Sequence, residues 1–438
     1  MRYDRLIAAC CAVLLFGFTV GSDTAAAQED GVEVNWAEGT WTFATPDVDA
    51  EISRITFAGD WRPARVYTSL FRQDPEAPYG DMLPVLRESD LRLVNVETTI
   101  GNKGTPIPKG GPTFQSGTEF LSGLTRVPFD VAILANNHAA DYGPPSIQET
   151  IDNLRTSGIR PVGAGMKGEE ASRPLFLDVN GTSVAVIACA EGEEGRSVRG
   201  GPGVNGMDVH KQVSQIRRLQ GMVDVVLVSF HGGREYLPSP PPYVTYAMRS
   251  FAEAGADAII AHHPHVPQSI EVVAGVPIVY SQGNFIFWQE GDYYRKIGYL
   301  VHLDIADDEL VELSITPYRQ TEEGLVHLED PHREELMDDL EQLSLRLQEE
   351  GGPDALWEAY IDRVGTGTDQ LRSIADGIDE GDRQSAEYLY NLYFTSAHRE
   401  LFLSRMQRVL NDEMGTSPQW ARQWIDQWLD RPASELPE

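Results

Sequence analysis

The sequence predicts an α/β core followed by a helical C-terminal appendage, and three observations carry that prediction. Short apolar runs of four to seven residues, rich in β-branched side chains, recur between about residues 53 and 318. Amphipathic segments with helix start and stop signals lie between them. After about residue 320, helical periodicity takes over, punctuated by Gly-Gly-Pro and Gly-Thr-Gly. Continuous apolar runs of this length are typical of strands buried on both faces, and their alternation with helices argues for an α/β sheet.

In chain order, Arg2 and Arg5 precede an apolar run over residues 6–20 and the small-residue run Ala25-Ala26-Ala27. This is the order of a secretory signal, with cleavage expected after Ala27. The run is short for a spanning helix, so an uncleaved anchor is the lesser alternative. Ile7-Ala8-Ala9-Cys10 is not a lipobox, because the apolar run follows the cysteine. The expectation is a secreted or periplasmic protein with no integral membrane segment after cleavage. Cys10 and Cys11 leave with the signal, and Cys189, in an apolar run, is expected to be a buried small hydrophobe.

Residues 28–52 read as an extended, acidic, Trp-containing lead-in, and 53–319 as the core domain. Its strand candidates are 55–58, 93–96, 131–135, 184–190, 225–230, 258–261 and 277–281. Ile147, Ile151 and Leu154 keep helical spacing after Pro144-Pro145 and before Gly158. Val209, Val213, Ile216 and Gln220 mark a second helix. Val244, Ala247, Phe251 and Ala254, closed by Gly255, mark a third. The region 320–438 reads as an acidic helical appendage without strands. There Leu336, Leu340, Leu343 and Leu347 share a helix face, as do Leu401, Met406 and Leu410. Trp420, Trp424 and Trp428 form a stripe read as packing surface. No internal repeat is evident.

Of 438 residues, 35 are Lys or Arg and 67 Asp or Glu, a net charge of −32. Loss of residues 1–27 removes Arg2, Arg5, Asp4 and Asp23 and leaves that charge unchanged. Hydrophobic residues at 41% and aromatics at 9% suffice for a packed core, which excludes a wholly disordered acidic chain. The charge repels phosphate backbones, so nucleic acid and anionic membrane surfaces are excluded as general partners. Neutral, cationic or metal-bridged partners remain. Salt-adapted proteins show acidity on this scale too.

Four apolar runs are followed at once by potential metal ligands: Asp60, Asn137-His138, His231, and His262-His263-Pro264-His265. A fifth, Glu97, closes 93–96, with Asn95 two residues earlier on the same strand face. Ligands of α/β sheets bind beyond the carboxyl ends of strands, so these groups are expected to converge on one rim. Pro264 should hold His263 extended, so that His263 and His265 point the same way. Carboxylate, amide and imidazole without thiolate suit Mn²⁺, Fe or Zn²⁺ in one or two sites, rather than Ca²⁺ or structural zinc. His262 should point away from its neighbour. His210, His302, His327, His332 and His398 read as ordinary surface or core histidines.

The segments GDW (59–61), DLRLVNVETTI (90–100), ANNHAADYG (135–143), SFHGGREY (229–236), GADAIIAHHPHVPQSIE (255–271) and VPIVYSQGNFIF (276–287) resemble the CapA family. These are capsule-biosynthesis proteins of poly-γ-glutamate producers, whose domain resembles the calcineurin-like metallophosphoesterases. The resemblance spans roughly 53–290 and implies an αββα sandwich. It further implies Asp60 and His265 on a first metal, Glu97 in place of the usual bridging aspartate, and Asn137, His231 and His263 on a second. His138 matches the catalytic acid. Arg62 departs from the pattern, standing where Asp-x-His places a ligand, and its charge weakens a first site.

On the residues alone, Asp141 either orients His138 or forms the turn before Tyr142-Gly143. Asn95, Arg234, Glu235 and Tyr236 are candidate substrate contacts, and Arg295 and Lys296 further anion contacts. The expected activity is metal-dependent hydrolysis or transfer at an amide or phosphoester bond. The alternative is a non-catalytic envelope protein that binds or guides an anionic polymer such as poly-γ-glutamate.

Overall fold

A computed structural model describes residues 28–437 apart from 30, 110, 192–194, 196, 198, 199 and 365–367. The signal segment 1–27 lies outside the described residues. Two large sheets face one another. The first has eleven strands, with Ser53–Trp61, Leu91–Val96, Val131–Ile133 and Arg160–Val162 running parallel through its centre. The second has six, in which Thr182–Ala190, Val225–His231, Ala258–His262 and Val276–Val279 are parallel.

The period of two along a strand explains the layering. Val184, Val186, Val225, Leu227, Ala258 and Ile260 face the first sheet and join a core with Ile55, Phe57, Leu93 and Val131. Their neighbours Ala185, Ile187, Cys189, Val226, Val228 and Ile259 face outward, against Ile216 of the helix Val209–Leu219 and Met248 and Phe251 of Pro242–Glu253. On the first sheet, Val66–Gln73, Leu121–Arg126 and Pro144–Thr156 pack Phe71, Leu124 and Leu154 into the larger core. The result is helix–sheet–sheet–helix. Cys189 is fully buried and unpaired, as expected.

All seven strand candidates and all three core helices form. The longest strands, Ile297–Ala306 and Glu309–Thr321, were not among the candidates, and they pair antiparallel next to Ser53–Trp61. Glu309–Thr321 alternates buried and half-buried residues, so it lacks the continuous apolar run by which the others are recognised. The expectation that strands end at about 320 is corrected here, because Gly324–His327 turns back to pair with Glu309–Thr321. The lead-in also joins the sheet: Val32–Asn35 and Thr40–Thr42 extend its edge and bury Val32, Val34 and Trp41.

Six helices follow from His332. Leu336, Leu340, Leu343 and Leu347 are buried, and Ser344 Oγ accepts the backbone N–H of Ile270 at 3.1 Å. Trp428 is buried and stacks on Tyr294, while Trp420 and Trp424 are half-buried, so the stripe packs. The expected face of Leu401, Met406 and Leu410 is corrected: Met406 and Leu410 are exposed. Positions 397, 401, 404 and 408 turn inward instead, since they follow the 3.6-residue repeat more closely. Among the described residues, no helix is long and apolar enough to cross a membrane.

Candidate metal centre

The expected ligands lie where the carboxyl ends of the two sheets meet, so the rim is shared between sheets and is not the edge of one. Asp60 ends Ser53–Trp61. A register shift between Ala58 and Asp60 brings Asp60 opposite Asn95. Gly59 permits this, because a Cβ there would lie 2.6 Å from the Gly283 carbonyl oxygen. Glu97 follows Leu91–Val96, while His231 ends Val225–His231 on the facing sheet.

Two triads emerge, Glu97–His231–His263 and Asp60–Glu97–His265, each with candidate ligand atoms within 4.8 Å of one another. They share Glu97. His231 Nε2 and His265 Nε2 lie 3.6 and 3.8 Å from Glu97 Oε1, and His265 Nδ1 lies 3.2 Å from Asp60 Oδ2. Asn137 Oδ1 lies 3.0 Å from His231 Nε2, which places it beside the first triad. Both Glu97 oxygens and Asp60 Oδ2 are buried without a hydrogen-bond partner. Buried carboxylate oxygens are costly when unsatisfied, so this cluster fits a cation of the kind that nitrogen and oxygen ligands hold.

The electrostatics agree with that fit. Burial, with the neighbouring Asp60 charge, holds Glu97 well above the usual carboxylate range. Burial acts the same way on Asp60, but the close approach of His265 and the charges of nearby imidazoles hold it below its ordinary value. Burial lowers His263 to about 4 and His231 well below its usual range, so both rings are neutral and able to ligate.

His138 Nδ1 lies 2.6 Å from Asp141 Oδ2, and Nε2 turns toward Glu97 at 3.9 Å. Asp141 thus takes the orienting position, and it also accepts Lys109 Nζ at 2.9 Å and the Phe114 N–H at 2.6 Å. Burial, then the charge of Lys109, lowers His138 to about 4. Phe114 stacks on His138 with ring centroids 3.9 Å apart, and the Arg62 guanidinium sits 3.5 Å from the Phe114 ring centre.

Several expectations need correction. His263 and His265 adopt φ of 103° and 59°, not extended geometry. The chain bends sharply after Ala258–His262, and such conformations cost about 1–3 kcal/mol each when the residue is not glycine. Pro264 does not prevent the bend, and its carbonyl accepts the Tyr236 N–H at 2.8 Å. Asn95, expected at the substrate, is fully buried; its amide donates to Asp60 Oδ1 at 2.7 Å and lies 3.1 Å from His231 Nδ1. Lys296, expected to meet anions, is buried with Nζ 3.2 Å from the Trp288 ring centre. His262, expected to point away from its neighbour, brings its Nδ1 within 3.9 Å of Asp60 Oδ1.

Above the triads lies a cavity of about 230 Å³. Arg234, Glu235 and Tyr236 line it as expected, Tyr236 also carrying the Arg295 guanidinium 3.7 Å from its ring centre. Lys109, Phe114 and His398 line it unannounced. Asn136 was missed too: its amide donates to Asn95 Oδ1 at 3.1 Å and to the Val96 carbonyl at 2.9 Å. The Asn136-Asn137 doublet was a legible signal for it, whereas the loop holding Lys109 and Phe114 has no periodicity to read.

Fold and site together define a two-sheet α/β protein with a shared-carboxylate histidine centre of metal-binding type. The description of the bacterial capsule synthesis protein PGA_cap family matches residues 54–289, more than half of the chain. The chain belongs to that family. It is similar to the PGA biosynthesis protein CapA of Bacillus subtilis, at 29% identity over 58% of this chain and 68% of the relative. The capsule biosynthesis protein CapA of Bacillus anthracis is 29% identical over 64% of this chain and 71% of its own. Among solved structures, the 5′-nucleotidase precursor of Thermus thermophilus superposes with a TM-score of 0.38 at 13% identity, covering 68% of this chain and 60% of that one.

Proposed function

We propose that this protein is an extracytoplasmic, metal-dependent hydrolase or transferase of capsule or poly-γ-glutamate biosynthesis, acting on an amide or phosphoester bond. The observation that carries the reading is Glu97, with both oxygens buried and unpartnered between two ligand triads. Asp60, Glu97 and His265 would hold one divalent ion (Mn²⁺, Fe or Zn²⁺), and Glu97, His231, His263 and Asn137 a second. Such an ion supplies a more acidic bound water and polarises the bond under attack.

The chain's own groups do the rest. Asp141 anchors the His138 Nδ1–H, an assignment made from the hydrogen-bond network. The neutral ring then presents Nε2 to the cavity as a proton acceptor that can return its proton to the leaving group. Arg234 and Tyr236 orient the substrate, and Phe114, stacked on the His138 ring, covers one of its faces. Arg62 sits against Phe114, near enough for its charge to act on Glu97.

The test is elemental analysis of the purified protein beside its His263→Ala variant, with turnover of a phosphodiester and a γ-glutamyl amide followed in parallel. The expected result is one or two equivalents of a transition metal in the wild type, at least one fewer in the variant, and turnover of one substrate. A metal-free wild type sinks the reading. Stoichiometric metal with polymer capture and no turnover would transfer the protein to the polymer-binding alternative.

A further inference from the structure

The appendage reaches the site. Thr395, Ala397 and His398 line the same cavity as His138, His263 and His265, although more than 120 residues separate the two sets. That wall is tied by two links to the turn that follows His231. On one side, Arg234 Nε donates to Tyr360 Oη at 2.9 Å, within the helix Gly352–Val364. On the other, the Ala397 N–H, in the helix Ser396–Leu410, meets Glu191 Oε1 at 3.4 Å, while Glu191 Oε2 accepts the Gly233 N–H at 2.9 Å. The two helices are tied together, since Trp357 Nε1 donates to Ser404 Oγ at 3.1 Å and Arg405 Nη1 to the Ile361 carbonyl at 2.6 Å.

Four stretches line the cavity: Lys109 with Gly111, Pro112 and Phe114; residues 233–236; Phe287 with Gln289; and the appendage. At about 230 Å³ it falls below the range of roughly 300–1,000 Å³ that holds drug-sized ligands. A space of that volume suits one end unit of a chain better than an extended stretch of polymer. Its lining carries Arg234 and Lys109 beside the carboxylate Glu235. Lys109 is paired with Asp141, so Arg234 is the basic side chain placed to favour an anionic group, in a chain of net charge −32.

We propose that the appendage makes this an end-recognising site: residues 395–398, with Arg234 held by Tyr360, close the cavity so that it takes the terminal, carboxylate-bearing unit of an anionic chain and rejects internal stretches. This rests on the reading of the site given above and adds its substrate class.

The experiment is calorimetric titration of the full chain, loaded with Mn²⁺, with a γ-glutamyl tripeptide and with poly-γ-glutamate of two defined lengths. Binding should saturate at one protein per chain end whatever the length. His398→Ala and, independently, Arg234→Gln should each weaken tripeptide binding about tenfold or more, with metal content and unfolding midpoint held at wild-type values. Stoichiometry that grows with chain length overturns the proposal. So does failure to bind the tripeptide, or wild-type affinity in both variants. Because binding is read apart from turnover, a protein that captures ends without cleaving them would retire the catalytic reading and leave this one standing.

Discussion

At the scale of single residues, Glu97 and His138 carry the two proposed roles, ligand and proton carrier, that experiment can separate. His231 Nε2 and His265 Nε2 stand 3.6 and 3.8 Å from Glu97 Oε1, yet neither makes a hydrogen bond to it, as expected of atoms arranged to hold a cation. His138 is held away from ligation by Asp141 and points its free nitrogen at the cavity. His138→Gln should therefore lower turnover by about 10²–10⁴-fold while metal content stays at the wild-type level, read by kinetics and elemental analysis on the same preparation. Equal loss of metal and activity would instead make His138 a ligand. Asp141 is a poorer target, because its removal strands the Lys109 ammonium, whose side chain is 3% exposed, at a cost of about 3–5 kcal/mol. The ligand identities were legible because each follows an apolar run. The backbone that delivers His263 and His265 was not, since a proline rule describes an average preference and tertiary contacts outweigh it.

Among elements, the end of Thr182–Ala190 has the most to disclose. Glu191, the next residue, is buried and receives Tyr243 Oη at 2.7 Å besides its links to Gly233 and Ala397. Burial raises its carboxyl from 4.5 to about 7. The folded state then binds a proton that the unfolded state has released between those values, so stability is full below about 4.5 and falls as pH rises through 7. A shift of that size is worth about 3 kcal/mol. Urea unfolding of wild type and Glu191→Gln at pH 5 and pH 8 should show wild type losing up to that amount relative to the variant, and a pH-independent difference would refute it. Neither this link nor the hairpin of Ile297–Ala306 with Glu309–Thr321 could be read from the sequence. In the hairpin, Glu309–Thr321 alternates buried and half-buried residues, and His302 and Asp304 interrupt the apolar run of Ile297–Ala306; the link joins residues 206 positions apart.

For the whole molecule, the apolar runs alone disclosed buried strands but not how many sheets they make, because a run buried on both faces has the same appearance in one sheet or two. The two-sheet αββα arrangement was legible only through the family resemblance, and it is the one observed. The two-sheet answer matters for the ions. Each triad takes its carboxylates from the first sheet and the residue following its strand, and its imidazoles from a strand end or loop of the second, so neither half holds a complete set. Ion binding should thus be coupled to folding: excess Mn²⁺ at about 100 times its dissociation constant should raise the unfolding free energy by about 2.7 kcal/mol over chelator-treated protein, measured by urea titration. Identical curves would mean that no ion bridges the sheets. A bridging ion acts as a rivet driven through both leaves of the sandwich. The firmness of the finished particle would then be written partly in the mineral content of the fluid around it.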